Sequence, residues 1–351
     1  MKKKTWALIT LGVLLLAFAA AGALVIYVDP FQIYRPASRF IPPLDNTTQV
    51  YSNAGVVRNW EYDSVSVGSS VTENNSPYLM DELFGGRFIK LSTSAGTAFN
   101  HALLMDLAFE HHDIRTVVYA LDVYSFIGQT DETGSDVPMY LYDSNPLNDV
   151  QYWFNRSVLG SFLPRCLRTW GQAPDDSLRE SMYDWSGRDV YGITYALNGC
   201  VFAEPAQMLG EDAFLENASA NLQVNLIPFI TAHPETQFYI YFPPYSAAEW
   251  ASMYNKGTFH ALAALRGLCY DMLSGYENVT IYDFTTREDW VLVIDNYKDP
   301  LHYGDWINDA LVTCIARGEY AVADRAQLDA STQKLFSWVM QIIGAGAWVF
   351  N

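Results

Sequence analysis

The hydrophobic pattern begins with a run that contains no charged residue. Lysines at positions 2–4 precede residues 5–28, which are apolar on every face of a helix. At about 1.5 Å per residue this run reaches roughly 36 Å, enough to cross a bilayer core of about 30 Å. It is longer than the apolar part of a signal peptide, about 7–15 residues, so we predict an uncleaved anchor over residues 1–28, with cleavage near residues 19–23 as the alternative. The lysines predict a cytoplasmic N-terminus and an extracytoplasmic remainder.

Beyond the anchor, short β-rich runs alternate with stretches of helical spacing. The predicted strands are residues 65–67, 87–91, 116–121, 237–242 and 279–284, and the predicted helices are residues 77–84, 98–110, 222–232 and 247–273. This alternation is typical of βαβ units. It predicts an α/β fold, a three-layer sandwich with a mainly parallel central sheet.

The pattern also divides the chain into regions. A Pro-rich juxtamembrane lead-in, residues 29–60, comes before the α/β domain, residues 61–330. Within that domain, residues 128–214 form an aromatic-rich insertion that either covers the sheet as a lid or completes its core. Residues 331–351 are strongly apolar and predict a C-terminal helix that docks on the domain or lies at the membrane surface, with a second span as the alternative.

Composition excludes several classes of protein. The 21 basic and 39 acidic residues give a net charge of −18, which argues against nucleic-acid binding. Aromatic residues at 15% and charged residues at 17% exclude a mainly disordered chain. No CxxC pair is present, so a structural zinc site is not predicted. The four cysteines (Cys166, Cys200, Cys269 and Cys314) are either free thiols or disulfides in one of three pairings, and the sequence leaves both open.

Two short motifs carry candidate chemistry. Gly68-Ser69-Ser70 follows the first predicted strand of the domain, which places a serine at the carboxyl edge of a parallel sheet. Far along the chain, Asp299 and His302 are three residues apart in a turn that contains Pro300. A serine becomes a nucleophile when an imidazole accepts its proton and a carboxylate orients that imidazole. The two motifs therefore predict a catalytic triad.

A GxS motif after the first strand and a late DxxH motif resemble the SGNH/GDSL hydrolase superfamily. The resemblance extends to its membrane-anchored cell-envelope branch, which includes the D-alanine transfer protein DltD and relatives of polysaccharide O-acetyltransferases. The supporting segments are VDPFQIY after the anchor, GSSVTEN (68–74), LSTSAGTAFN (91–100), ALDVYSF (120–126), FPPYS (242–246) and DPLHYG (299–304). They are spread over nearly the whole predicted extracytoplasmic domain.

The resemblance implies an SGNH/flavodoxin-like fold and a role for each matching residue. It implies that Ser70 is the nucleophile, His302 the general base and Asp299 the partner of His302. The backbone N–H groups of Ser70 and Gly96 match two oxyanion-hole donors. No metal or organic cofactor is implied.

One position departs from the superfamily pattern. The third conserved segment of the superfamily supplies an asparagine donor, whereas this chain has Asp122 there. An ionised carboxylate repels an oxyanion. Either Asn74 or Asn100 therefore supplies the third donor, or the hole contains only backbone donors, or Asp122 has another role.

These observations predict a single-pass extracytoplasmic serine acyl-esterase or O-acyltransferase that forms an acyl-enzyme. The expected partner is a cell-envelope polysaccharide or a teichoic-acid-like polymer. The alternative is a non-catalytic accessory or binding protein for a multispan membrane O-acyltransferase. A surface lipase is a third possibility. A reactive-serine probe distinguishes the enzymes from the accessory protein.

Overall fold

A computed structural model describes residues 3–201 and 207–344. The α-helices in this part of the chain are α1 (Lys3–Val28), α2 (Gln49–Asn59), α3 (Pro77–Phe84), α4 (Ala98–His111), α5 (Val150–Trp153), α6 (Leu163–Arg168), α7 (Ser177–Ser181), α8 (Ile193–Ala196), α9 (Asp212–Asn225), α10 (Ile227–Ala232), α11 (Ala247–Asn255), α12 (Phe259–Leu273), α13 (Glu288–Val291), α14 (Asp305–Ala316) and α15 (Arg325–Gly344). Short 3₁₀ turns include Ser70–Thr72 after the first strand and Val123–Phe126 after the third.

Within the described residues, the strands form a single five-stranded sheet. They are β1 (Ser64–Gly68), β2 (Phe88–Ser92), β3 (Thr116–Ala120), β4 (Gln237–Phe242) and β5 (Val279–Asp283). Every pairing is parallel, in the order β2-β1-β3-β4-β5. The predicted α/β fold with a parallel sheet is confirmed.

The chain divides into two compact units. The first contains Met1–Trp60 and Asp136–Leu178, and the second contains Glu61–Ser135 and Arg179–Asn351. The sheet lies in the second unit, where Val65, Val67, Val117 and Val118 are fully buried. Such continuous burial is typical of parallel strands that are covered on both faces.

The first unit contains the apolar N-terminal helix. Among the described residues, α1 is the one helix long and apolar enough to cross a membrane. Most of its side chains are exposed, but its C-terminal half packs on the unit. A Cβ at Gly22 would lie 2.9 Å from the ring of Phe154, and Phe18 stacks on that ring with centroids 3.7 Å apart. Glycine at position 22 therefore allows this close helix contact.

The predicted strands agree with the observed ones within one residue at every end, but two predicted helices are wrong because each is divided in the structure. The helix predicted over residues 222–232 is two helices that break at Leu226, because the ring of Pro228 cannot continue α9. The helix predicted over residues 247–273 divides into α11 and α12 at Gly257, whose φ of 79° lies in the left-handed region.

Other parts of the chain add detail that the sequence left open. The lead-in over residues 29–60 contains helix α2. All four cysteines are free thiols, and burial raises the pKa of Cys166 and of Cys200 to about 12. The predicted C-terminal helix over residues 331–351 overlaps α15, and its last residues, 345–351, lie outside the described residues.

Candidate active site

The nucleophile motif lies at the carboxyl end of β1. Gly68 is the last residue of that strand, and a Cβ there would lie 2.6 Å from Cγ2 of Thr72 and 3.0 Å from Cβ of Ala120. Only glycine permits this close approach of the turn to β3. The turn directs Ser69 and Ser70 to the carboxyl edge between β1 and β3, where the strand order reverses. Open α/β sheets place their ligands at such a switch point.

Ser70, His302 and Asp299, which we call the Ser70 cluster, form a chain of hydrogen bonds. Oγ of Ser70 lies 2.6 Å from Nε2 of His302, and Nδ1 of His302 lies 2.7 Å from Oδ2 of Asp299. Since a carboxylate only accepts, the proton of the imidazole is assigned to Nδ1. Nε2 is then the acceptor for the Ser70 hydroxyl proton, as general-base chemistry requires.

The environment keeps Asp299 ionised. Burial raises the pKa of this carboxyl group, but the hydrogen bond and the charge interaction with His302, together with the N–H groups of His302 and Leu301, outweigh burial. The net effect is a pKa below the usual range. Asp299 therefore remains an acceptor at neutral pH and holds the imidazole in one tautomer.

The turn that carries His302 is held by the segment that follows β4. Both the hydroxyl and the N–H of Ser246 donate to the carbonyl of Pro300, at 2.7 and 3.2 Å. Tyr297 donates from its hydroxyl to the carbonyl of Pro244, at 2.7 Å. The FPPYS segment thus has a structural role that its sequence did not reveal: it fixes the position of the imidazole.

Trp185 packs beside the imidazole. Its ring meets His302 edge-on, with centroids 5.6 Å apart, and the ammonium group of Lys298 lies 3.5 Å from the ring centroid. Only 5% of Trp185 is exposed. Its backbone N–H donates to Oδ1 of Asn74 at 3.2 Å. Trp185 therefore limits rotation of His302, and no spacing in the sequence pointed to it.

Ser69, Asp122 and Tyr245, which we call the Ser69 cluster, form a second set of hydrogen bonds. The Ser69 hydroxyl donates to Oδ2 of Asp122 at 2.7 Å. Oδ1 of Asp122 accepts from the Tyr245 hydroxyl and, at 2.9 Å, from the N–H of Tyr124. Both oxygens of Asp122 therefore have donors. The cluster joins the chain segments that follow β1, β3 and β4.

The predicted oxyanion donors are in different situations. No other described residue accepts a hydrogen bond from the N–H of Ser70, whereas the N–H of Gly96 donates to the carbonyl of Thr93 at 2.8 Å and is already used in this structure. Ala95 lines the same cavity with φ 52°, and its N–H likewise has no acceptor within the described residues. Ala95 is thus a second candidate donor that the sequence did not reveal.

The two candidate asparagines have structural contacts. Oδ1 of Asn100 accepts from the N–H groups of Thr97 and Gly134, at 3.0 and 2.9 Å, so Asn100 caps α4. Asn74 accepts from Trp185, and its Nδ2 has no acceptor in the described part of the chain. Neither residue lines the cavity at the Ser70 cluster.

That cavity has a volume of about 620 Å³, within the range typical of small-molecule sites. Besides the Ser70 cluster, its wall includes the polar side chains of Tyr124, Glu249 and Lys256. The hydroxyl of Tyr124 donates to Glu249, and the Lys256 ammonium group lies 3.6 Å from the same carboxylate. Burial raises the pKa of Glu249, and these two partners offset only part of that effect.

Within residues 3–201 and 207–344, no group of three or more His, Cys, Asp or Glu side chains is arranged to hold a metal ion. No protein-family model matches the chain, and no curated protein matches it. The arrangement of the site therefore carries the functional argument.

Proposed function

We propose that this protein is a membrane-anchored, extracytoplasmic serine acyl-esterase or O-acyltransferase that acts on a cell-envelope glycopolymer. The observation that carries the proposal is the hydrogen-bonded chain from Ser70 through His302 to Asp299 in a cavity at the carboxyl edge of the sheet. Serine hydrolases of unrelated folds use this arrangement.

The strand order and the anchor support the finer parts of the proposal. The order β2-β1-β3-β4-β5 is the flavodoxin-like order, which accords with an SGNH-like three-layer sandwich. Helix α1 is long enough to span a bilayer, and the lysines that precede it favour a cytoplasmic N-terminus. In this orientation the chain beyond α1, including the sheet, is extracytoplasmic, next to envelope polymers.

In the proposed reaction, Oγ of Ser70 attacks the carbonyl carbon of an ester or thioester while Nε2 of His302 accepts the hydroxyl proton. Asp299 stabilises the resulting imidazolium. The N–H groups of Ser70 and Ala95, which have no acceptor within the described residues, donate to the oxyanion. The C–O or C–S bond to the leaving group then breaks, and His302 protonates that group.

An acyl-enzyme on Ser70 remains. In the second half of the cycle, His302 takes a proton from water or from a polymer hydroxyl, whose oxygen attacks the acyl carbon. The bond to Ser70 breaks and His302 returns the proton to Oγ. Water gives hydrolysis and a sugar hydroxyl gives transfer. The polar cavity wall formed by Tyr124, Glu249 and Lys256 suits a hydroxyl-rich acceptor.

A fluorophosphonate probe tests the proposal on the full chain purified in detergent. The wild type should be labelled, Ser70→Ala should abolish labelling, and His302→Ala should slow it by at least about 10³-fold because the base is lost. Ser337→Ala, which changes an exposed serine on α15, is the matched control and should be labelled like the wild type.

If the folded wild type is neither labelled nor able to cleave small acyl esters, the proposed enzymatic activity is wrong. That result would favour the non-catalytic accessory protein. Cleavage of long-chain esters with no transfer to carbohydrate acceptors would instead favour a lipase.

A further inference from the structure

A second cavity of about 620 Å³ lies at the C-terminal end of α1, within the first compact unit. Its wall is formed by the last turns of α1, by residues 35–40 and by Trp170; the residues of α1 are Ala23, Ile26, Tyr27 and Val28. The cavity is therefore continuous with the apolar surface of the helix that we propose crosses the membrane.

Aromatic side chains form one side of this cavity. Trp170 stacks on Phe40, with centroids 6.1 Å apart and planes at 7°, and its ring lies 5.9 Å from that of Tyr27. Tyr27 is 59% exposed and Trp170 is 39% exposed. Exposed Trp and Tyr side chains are enriched where a membrane protein crosses the boundary between lipid and water.

The two arginines of the cavity have different roles. Nη2 of Arg35 donates to the carbonyl of Ile26 at 2.7 Å and to that of Tyr27, so it caps the end of α1. The guanidinium of Arg39 is exposed, and no described residue forms a hydrogen bond or an ion pair with it. The carboxylate of Asp29 accepts from the N–H groups of residues 33–35 and from the Tyr152 hydroxyl, and it interacts with the charge of Arg35. Arg39 is thus available to an anionic ligand.

The position of the cavity along α1 matches the depth of lipid headgroups. A bilayer core of about 30 Å takes up about 20 helical residues. Counted from the lysine-flanked start of the apolar run at Thr5, the core ends near Leu24, so the apolar ring of Phe154, which packs on Phe18 and Gly22, lies at the outer edge of the core. The cavity residues Ala23 to Val28 begin there, and exposed apolar side chains of α1 extend below them.

We propose that this cavity binds the phosphodiester headgroup of a membrane lipid. Arg39 donates two hydrogen bonds to the phosphate oxygens, whereas the charge of Arg35 is shared with Asp29 and Arg35 mainly shapes the cavity. Tyr27 and Trp170 contact the glycerol region, and the acyl chains lie along the exposed face of α1. The inference depends on the proposed membrane crossing but not on the chemistry at Ser70.

A binding experiment on the full chain in detergent tests the site. Dioctanoyl phosphatidylglycerol is titrated by calorimetry, with inorganic phosphate and the neutral lipid dioctanoylglycerol in parallel. The wild type should bind the phospholipid saturably and should bind the other two at least about tenfold more weakly. Arg39→Gln should weaken phospholipid binding about tenfold, since a charge-assisted pair is lost. Arg39→Lys should weaken it less.

Arg156→Gln is the matched control, because it removes the same charge from an exposed position of the first unit outside the cavity. It should bind like the wild type. Equal phospholipid affinity in Arg39→Gln and the wild type would overturn the site. If inorganic phosphate binds as tightly as the phospholipid, the proposal that the ligand is a lipid is wrong. Fluorophosphonate labelling of the same preparations separates a failure here from a failure of the proposed enzyme.

Discussion

Ser69 and Ser70 are neighbours in the chain, yet their hydroxyl groups donate to different bases. Ser70 donates to an imidazole that is itself oriented by a carboxylate, whereas Ser69 donates directly to the carboxylate of Asp122. An imidazole is the stronger base of the two in water. The Ser70 cluster is therefore suited to remove a proton, and the Ser69 cluster is suited to hold one in place.

The number of donors strengthens this contrast. Asp122 accepts from Ser69, Tyr245 and Tyr124, so its charge is spread over three hydrogen bonds that connect the segments after β1, β3 and β4. The SGNH/GDSL resemblance leads one to expect an asparagine at position 122. An asparagine side chain has a single acceptor oxygen, so one of these donors would face its NH2 group, which cannot accept a hydrogen bond. We infer that Asp122 stiffens the edge of the sheet on which Ser70 lies.

The largest expected effect is a difference in labelling rate between substitutions of the two carboxylates, Asp299 and Asp122. Asp299→Asn should slow fluorophosphonate labelling of Ser70 by about 10³–10⁴-fold, because an amide at position 299 allows the wrong imidazole tautomer. Asp122→Asn should slow it by no more than about tenfold, because the hydrogen bond between Ser70 and His302 remains. The labelling rate of the full chain in detergent is the measurement.

The unfolding midpoint of each variant serves as the control for folding. If both substitutions reduce labelling to the same degree while both variants remain folded, the division of roles between the clusters is wrong.

Ser69→Ala should affect stability more than reactivity. It removes a donor from the buried Asp122, which costs about 1–3 kcal/mol in the free energy of unfolding. Chemical denaturation measures this loss, and the labelling rate should stay within about tenfold of the wild type. Ser125→Ala is a comparison from the same cavity, since Ser125 donates to the carbonyl of Gly96 instead. If the folded Ser69→Ala variant loses all labelling, the assignment of Ser70 as the nucleophile is wrong.

The last expected effect is a dependence of stability on pH, which is spread over several pH units. His101 is fully buried below Gly96, and burial lowers its pKa to about 3. The unfolded chain takes up a proton at this histidine near pH 6.5 while the folded chain does not, so stability falls as pH drops from about 6.5 towards 3. Below pH 4, loss of the ionised form of Asp299 acts in the same direction.

Chemical denaturation between pH 7 and pH 4 should show a slope of at most about 1.4 kcal/mol per pH unit from this group. His101→Gln should flatten that slope. An unchanged slope in the variant would show that His101 is protonated in the folded protein or that another group dominates.

The sequence predicts the members of the Ser70 cluster because one pair is local and because triad chemistry and the SGNH/GDSL resemblance link that pair to a serine far away in the chain. Asp299 and His302 are three residues apart in one turn, and Ser70 follows a strand whose burial is evident from its valines. The Ser69 cluster was not predicted, because Tyr245 and Asp122 come together only when β3 and β4 pair in register. Trp185 was missed for the same reason: nothing in an aromatic-rich segment indicates which tryptophan will reach the imidazole.

The two wrongly predicted helices are divided by single residues that a search for hydrophobic periodicity does not take into account. The apolar spacing continues through Pro228 and Gly257, so it predicts one helix in each region. The backbone chemistry of proline and of a left-handed glycine ends a helix at both places.

The contact of Phe18 and Gly22 with Phe154 has a practical consequence for the preparation of a soluble fragment. Removal of the first 28 residues to avoid detergent would expose the Phe154 ring to solvent and leave an exposed apolar patch. Such a truncated protein would aggregate for reasons unrelated to the candidate active site. A fragment intended for biochemistry should keep the C-terminal turns of α1 or replace Phe154 with a polar side chain.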